Sequence, residues 1–260
     1  MKGISVIIPC YNKVEITKKC VQSFLSTEAD NIEYIFIDNA STDETARYLL
    51  EISQQKKDTF KCILNNENLG IVGAFNQGTK HSLYDIVVFM HNDVIIHNEN
   101  WPELISSFFS NHPEAGIVGL YGAKRIRKDG SFMGRGIVHS KLIEGNLKEQ
   151  YTEVSIVDGL FMALRKDVLN KIGGFDTRFN VHYYDKDISM SAIKAGYKNY
   201  VINIPFTHKG GSSRSQLKNQ TDNTLREEMK KLFLEKWKSE LPLDVRGKKE
   251  RIKDWLKKYV

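Results

Sequence analysis

At four places along this 260-residue chain, polar residues suited to gripping a ligand follow directly on apolar, β-branched runs. They are Pro9-Cys-Tyr-Asn12, Asp38-Asn-Ala-Ser-Thr-Asp43, Asn68-Leu-Gly-Ile-Val-Gly-Ala-Phe-Asn76 and His91-Asn-Asp93. Open α/β sheets bind their ligands beyond the carboxyl ends of the strands, so residues at that boundary are the ones to weigh for chemistry. Asn, Asp, Ser and Gly are also the ordinary residues of turns and helix caps, and each stretch alone has that plainer reading. In succession they would line one sheet edge, with a nucleotide lying across them.

The elements needed to position them are present as alternating β-branched runs and helical periods, the pattern of a mostly parallel, Rossmann-like sheet flanked by helices. Strands are expected at Ile4 to Pro9, Tyr34 to Asp38, Cys62 to Asn65, Asp85 to Met90 and Ala115 to Tyr121. Helices are expected at Val14 to Leu25, from a cap at Ser41 or Thr42 to Gln55, at Val72 to Ser82 and at Trp101 to Asn111. Gly122 to Val154, rich in Gly, Lys and Arg, reads as hairpin and loop. Beyond it come a strand at Ser155 to Leu164, a short helix at Lys166 to Ile172 stopped by Gly173-Gly174, a helix at Asp185 to Ala195 stopped by Gly196, and a last strand at Tyr200 to Ile204. There is no internal repeat and no low-complexity linker.

With 41% hydrophobic and 27% charged residues the chain can bury a substantial core. Cys10, Cys20 and Cys62 have no CxxC spacing and no adjacent histidine cluster, so a reducing compartment is expected and neither a disulfide framework nor a structural zinc site. No apolar run has the length of a signal h-region or a membrane span, which predicts a cytoplasmic protein, soluble or peripheral at the inner face of the membrane. Of the net charge of +6, +5 lies between Arg226 and Val260. The body therefore offers no basic face for nucleic acid.

The motifs together resemble those of family 2 glycosyltransferases of the GT-A fold, the inverting group that includes rhamnosyltransferase-like enzymes. The resemblance is carried, in the family's order, by Pro9 and Asn12 after the first strand, Ile37-Asp-Asn-Ala-Ser-Thr-Asp43, Asn68 to Gly78, Asn92-Asp93, Gly173-Gly-Phe-Asp176 and Asp185-Lys-Asp187. It implies one GT-A domain over 1–215, with a nucleotide-sugar half at 1–120 and an acceptor half at 121–215, followed by a basic helical extension at 216–260. It implies a nucleotide diphosphate sugar as donor and a glycan or lipid-linked hydroxyl as acceptor, in surface polysaccharide or glycoconjugate synthesis. Pro9, Tyr11, Asn12, Asp38, Asn68, Gly70, Gly73, Asn76 and Asn92 fall at donor-binding positions; Gly159, read from the residues, lets donor or acceptor approach the backbone closely or is a packing glycine. Asp38 takes the nucleobase place, where an acceptor-only carboxylate can select an N–H edge.

His91-Asn92-Asp93 stands where such enzymes carry a DxD-type motif. The resemblance makes Asp93 a ligand of Mn²⁺ or Mg²⁺, with His208 completing the coordination and Asn92 or His91 reaching the ribose or the ion's water shell. The base that takes the acceptor's proton falls to Asp185, in the first turn of its helix where the dipole favours an anion. Tyr184 replaces the first acid of the family's pair, and Asp187 is the rival base, with a cap or salt bridge as its plainer role. Arg125 and Arg127 are candidates for a diphosphate or anionic acceptor, or simply solvated loop charges. In the extension, Ile252, Trp255, Leu256 and Tyr259 recur at helical spacing among lysines and arginines. Such a helix can lie on an anionic membrane, dock on its own domain or pair with a second subunit. Two other classes share the layout. A sugar nucleotidyltransferase would carry a Gly-rich loop with lysine after the first strand, which Pro9-Cys-Tyr-Asn-Lys13 lacks; a non-catalytic nucleotide-binding subunit would keep the fold without turnover.

Overall fold

Runs such as Ile32 to Asp38, in which every residue is buried, can be stable as strands only where both sheet faces are covered. A computed structural model describes residues 3–25, 27, 30–141, 145–210 and 219–256. Ser212, Ser213 and Tyr259 lie outside the described residues. The first half runs β1 (Ile4–Cys10), α1 (Val14–Gln22), β2 (Ile32–Asp38), α2 (Thr45–Gln55), β3 (Phe60–Leu64), α3 (Gly70–His81), β4 (Ile86–Met90), β5 (Val94–Ile96), α4 (Trp101–Asn111) and β6 (Ala115–Gly119). The second half runs β7 (Tyr121–Ala123), β8 (Arg125–Ile126), β9 (Ile137–His139), β10 (Tyr151–Val154), β11 (Ile156–Val157), β12 (Phe161–Arg165), α5 (Lys166–Ile172), α6 (Tyr184–Lys194), β13 (Lys198–Ile202), β14 (Phe206–His208), α7 (Asn219–Trp237), β15 (Leu243–Asp244) and α8 (Lys248–Leu256).

Eight strands form the main sheet in the order β10-β13-β6-β12-β4-β1-β2-β3. Strands β3, β2, β1 and β4 pair in parallel. β12 is antiparallel to both β4 and β6, β13 is parallel to β6, and β10 is antiparallel to β13. One hydrophobic cluster, with Trp101, Phe161 and Phe36, fills one face of the sheet. A second, with Phe75, Phe89 and Phe175, fills the other.

Three expectations are corrected. The continuous strand from Ser155 to Leu164 is broken: β11 joins β7 and β9 in a small sheet, and only β12 enters the main one. The break is an Asx turn, in which the Leu160 amide donates to Asp158 Oδ1 at 3.0 Å. Neither Ser41 nor Thr42 caps the second helix, because both hydroxyls are turned to Asn12: Ser41 Oγ accepts from the Asn12 amide and Thr42 Oγ1 donates to Asn12 Oδ1. Asp43 takes the first-turn role instead, accepting from the Thr45 amide at 2.9 Å. The strand expected from Ala115 to Tyr121 also divides, β7 leaving for the small sheet.

Part of the segment beyond 215 packs into the body. Phe233 and Trp237 of α7 are buried in the second cluster. The Trp237 indole N–H donates to Asp187 Oδ1 at 2.7 Å, and Lys236 Nζ reaches Asp187 at 2.8 Å and Asp176 at 3.0 Å. Burial pushes the Asp187 carboxyl up from its ordinary value, whereas Arg178, and then Lys236, hold Asp176 well below it. No helix among the described residues is long and apolar enough to cross a membrane.

Phe233→Ala is expected to cost about 3–5 kcal/mol in urea-induced unfolding, the usual range for deleting a fully buried phenyl ring. For Asp176 the folded value lies below the unfolded one, so its contribution is present above the ordinary 3.8 and is lost as pH falls below it. Asp176→Asn should therefore be destabilising at pH 7, and the gap to the parent protein should close in melts taken from pH 4 downwards.

Candidate functional site

The parallel direction of β1, β2 and β4 puts Cys10, Asp38 and Met90 at one sheet edge, and the loops that follow them emerge together. β12 runs the other way, with Phe161 opposite Met90, so Asp158 and Gly159 just before it arrive at that same edge. His208 comes from far along the chain through the β14–β5 ribbon, in which it faces Val94. The Lys209 amide adds a bond to the Asp93 carbonyl at 3.2 Å. A cleft of about 470 Å³ opens between these loops.

Of the residues expected to bind or react, Pro9, Tyr11, Asn68, Gly70, Asn92, Asp93, Gly159, Asp185 and His208 line the cleft. Asn12, Asp38, Gly73 and Asn76 do not. Asn12 ties two loops together, accepting from the Thr42 amide at 2.7 Å while its own amide donates to Ser41 Oγ at 2.8 Å. Asp38 is 2% exposed beneath the cleft, with Oδ2 accepting from the Ser41 amide and Oδ1 sealed without a hydrogen-bond partner. Asn76 clasps the backbone of Phe175 in both directions, at 3.0 and 3.3 Å, and so is bound to the Gly173-Gly-Phe-Asp176 turn. Gly73 sits one helical turn inside α3, where an added Cβ would meet the Leu69 side chain.

His91, Asp93 and His208 each bring one ligand atom to within 4.8 Å of the others. His208 Nε2 lies 3.3 Å from Asp93 Oδ1, and the Asp93 carboxylate is almost wholly buried. Two imidazoles and a carboxylate suit a borderline divalent ion such as Mn²⁺ better than Mg²⁺. Asn92 points away from this group, its amide donating to Thr17 Oγ1 at 2.9 Å. His91 Nε2 is bonded to the Tyr184 hydroxyl at 2.7 Å. Tyr184 thereby links the three-residue group to the start of α6, and the next residue is Asp185.

Asp185 faces the cleft, its Oδ2 3.4 Å from the Gly159 amide. Asp187, two residues on, is 200° around the helix and committed to Trp237 and Lys236, away from the cleft. Arg125 and Arg127 do not line the cleft either. Arg125 pairs with Asp244 at 3.4 Å, and Arg127 donates to the Phe132 carbonyl at 2.7 Å, bracing the loop.

Several lining residues were not among those expected to bind or react, although Asn39 and Lys186 lie inside the motifs. Asn39 holds the α3 entry, donating to the Gly70 carbonyl at 3.3 Å. Ser131 and Phe132, His182, Tyr183, Lys186 and Arg226 close the far side. Lys186 Nζ lies 4.2 Å from the Tyr183 ring centroid and 4.5 Å from that of Phe132, and burial lowers its affinity for a proton while the neighbouring Asp185 raises it. Asn12, Lys13, Ala40 and Tyr183 all hold positive φ, between 56° and 65°, in loops on this edge. Left-handed backbone in non-glycine residues gathers where function constrains a loop. Cys10 lines the cleft too, but burial holds its thiol far above the range of a nucleophile.

A switch-point cleft on a mostly parallel sheet, with a metal-capable group at its floor, defines an α/β protein of the GT-A class. The family model for Glycosyl transferase family 2 matches residues 5–173, and the chain belongs to that family. A poly-beta-1,6-N-acetyl-D-glucosamine synthase of Staphylococcus epidermidis is 28% identical over 202 residues, 72% of this chain and 48% of that protein. The chain thus spans about half the length of the curated relatives it matches. Among solved structures, a mannosyltransferase, PcManGT from Pyrobaculum calidifontis in complex with GDP-Man and Mn²⁺, superposes with a TM-score of 0.58 at 19% identity, covering 78% of this chain and 54% of that one. GalNAc-T7 with UDP, GalNAc and Mn²⁺ gives 0.66 at 14% identity, covering 79% and 43%. The family and the fold expected from the motifs are borne out; the relative named here makes an N-acetylglucosamine polymer, and nothing in these similarities carries over the rhamnosyltransferase-like subgroup.

An added Cβ at Gly159 would lie 2.0 Å from the Tyr184 hydroxyl, so only glycine leaves room for the tyrosine that holds His91. Tyr184→Phe is expected to weaken Mn²⁺ binding about tenfold, as loss of a ligand's hydrogen-bond partner commonly does, and Gly159→Ala at least as much. A Mn²⁺ titration followed by electron paramagnetic resonance reads both.

Proposed function

We propose that this chain transfers a sugar from a nucleoside diphosphate sugar to a hydroxyl of a glycan or lipid-linked acceptor, with inversion at the anomeric carbon, in the synthesis of a polysaccharide. The observation that carries the reading is the convergence, in one cleft, of the His91, Asp93 and His208 group with Asp185, tied together through Tyr184. Family membership and the polysaccharide synthase relative support it. So do the fold relatives whose complexes hold GDP-Man or UDP with Mn²⁺.

His91, Asp93 and His208 would hold a divalent cation, with the donor's phosphates as further ligands. When bound, the ion supplies positive charge to the diphosphate as it leaves. Asp38 Oδ1, a buried acceptor without a partner, has the chemistry to take a nucleobase N–H once the loop above it admits one. Asn68 and Gly70, at the start of α3, present the helix's amino end to the same cleft, which suits phosphate oxygens. Asp185 takes the proton of the acceptor hydroxyl as its oxygen attacks the sugar carbon from the face opposite the diphosphate, whose bond to that carbon breaks. Tyr183, Lys186, Phe132 and Arg226 form the acceptor wall.

A thermal-shift screen of UDP, GDP and their sugars, with and without Mn²⁺, tests the donor half, since a ligand that binds only the folded chain raises its melting temperature. Asp93→Ala should abolish the Mn²⁺-dependent shift. Asp185→Asn should keep that shift while turnover falls by about 10²–10⁴, the range expected for loss of a general base. Full turnover by the Asp185→Asn protein would sink the assignment of the base.

A further inference from the structure

We propose that α8 is an interfacial helix that docks the protein on an anionic lipid surface. Ile252, Trp255 and Leu256 are spaced i, i+3 and i+4, so they share one face, and they are 58%, 59% and 53% exposed. Trp101 and Trp237, by contrast, are buried in the two cores. Among the described residues, more than half of each of these three side chains is left open to solvent.

The charges around it are sorted by side. At 100° per residue, position 249 flanks the apolar stripe and 248 falls within it one turn earlier, while Glu250 lies on the opposite side. Glu250 turns inward, where it pairs with Lys124 at 2.8 Å. From Val245 to Val260 there are seven basic residues against two acidic, whereas Arg226 to Asp244 has five of each. The charge excess noted in the sequence therefore belongs to this helix and its flanks. A cationic helix with an exposed tryptophan and two aliphatic side chains on one stripe is complementary to a negatively charged bilayer surface and its acyl boundary.

The helix is also held at a fixed place. β15, just before it, pairs with β8, and Arg251 donates to the carbonyls of Asp244 and Arg246 at 2.8 and 2.9 Å. β8 leads directly into the loop whose Ser131 and Phe132 line the cleft. The inference does not rest on sugar transfer, because lipid binding is read without turnover.

The test is co-sedimentation of the whole chain with vesicles of phosphatidylcholine alone or mixed equally with phosphatidylglycerol, at low and high salt. Binding is expected with the mixed vesicles at low salt, with a blue shift of Trp255 emission, and the triple variant Ile252→Ser, Trp255→Ser, Leu256→Ser should bind at least about tenfold more weakly. Since all three side chains are exposed, the variant should keep the parent's melting temperature. No sedimentation with mixed vesicles, or equal sedimentation by the variant, overturns the proposal. A dimer in analytical ultracentrifugation that the triple substitution converts to monomer, with no lipid binding by either protein, overturns it as well and gives the face to a second copy.

Discussion

Phe161 and Met90 face each other across an antiparallel ladder in a sheet whose other central strands run in parallel, and the site is built around that pairing. Parallel strands deliver loops to one edge only at their carboxyl ends. A reversed strand at the middle of the sheet adds the residues that precede it to the same edge. Asp158 and Gly159 reach the cleft this way, and Gly159 leaves the space that the Tyr184 hydroxyl occupies. From Tyr184 the chain of contacts runs to His91 and so to Asp93 and His208. Moving β12 by one residue would turn Gly159 away and place a side chain where the tyrosine must be.

Helix α6 distributes two acids by the same kind of constraint. Asp185 and Asp187 differ by 200° around the axis, so both cannot face the cleft. The buried contact with Trp237 and Lys236 holds Asp187 on the far side and leaves Asp185 at the cleft. Helix α7 therefore bears on which of the two acids meets the cleft although it stands outside the sheet. It also brings Arg226 into the cleft wall.

The sheet-edge loops and the cationic helix rest on different physical signals. The cleft depends on strand direction and on a few left-handed loop residues, while α8 depends on the sorting of charge around one short helix. The two meet at β8, where the strand that anchors α8 continues into the loop around Phe132.

The order of strands and helices in the first half and the loops that would meet at one edge were legible in the sequence, because strand ends and glycines are local signals, whereas Asp93 was joined to His208 only through the resemblance to a family. Asp185 could be picked out with Asp187 beside it, but spacing has no means to say which of two acids in one helical turn meets the cleft. The break at Asp158, the clasp of Asn76 on Phe175, the bond between His91 and Tyr184 and the wall formed by Phe132, Lys186 and Arg226 are decided by tertiary structure. The break is a local turn that the apolar run around it hides; the others join residues far apart in the chain, and no periodicity records such distances.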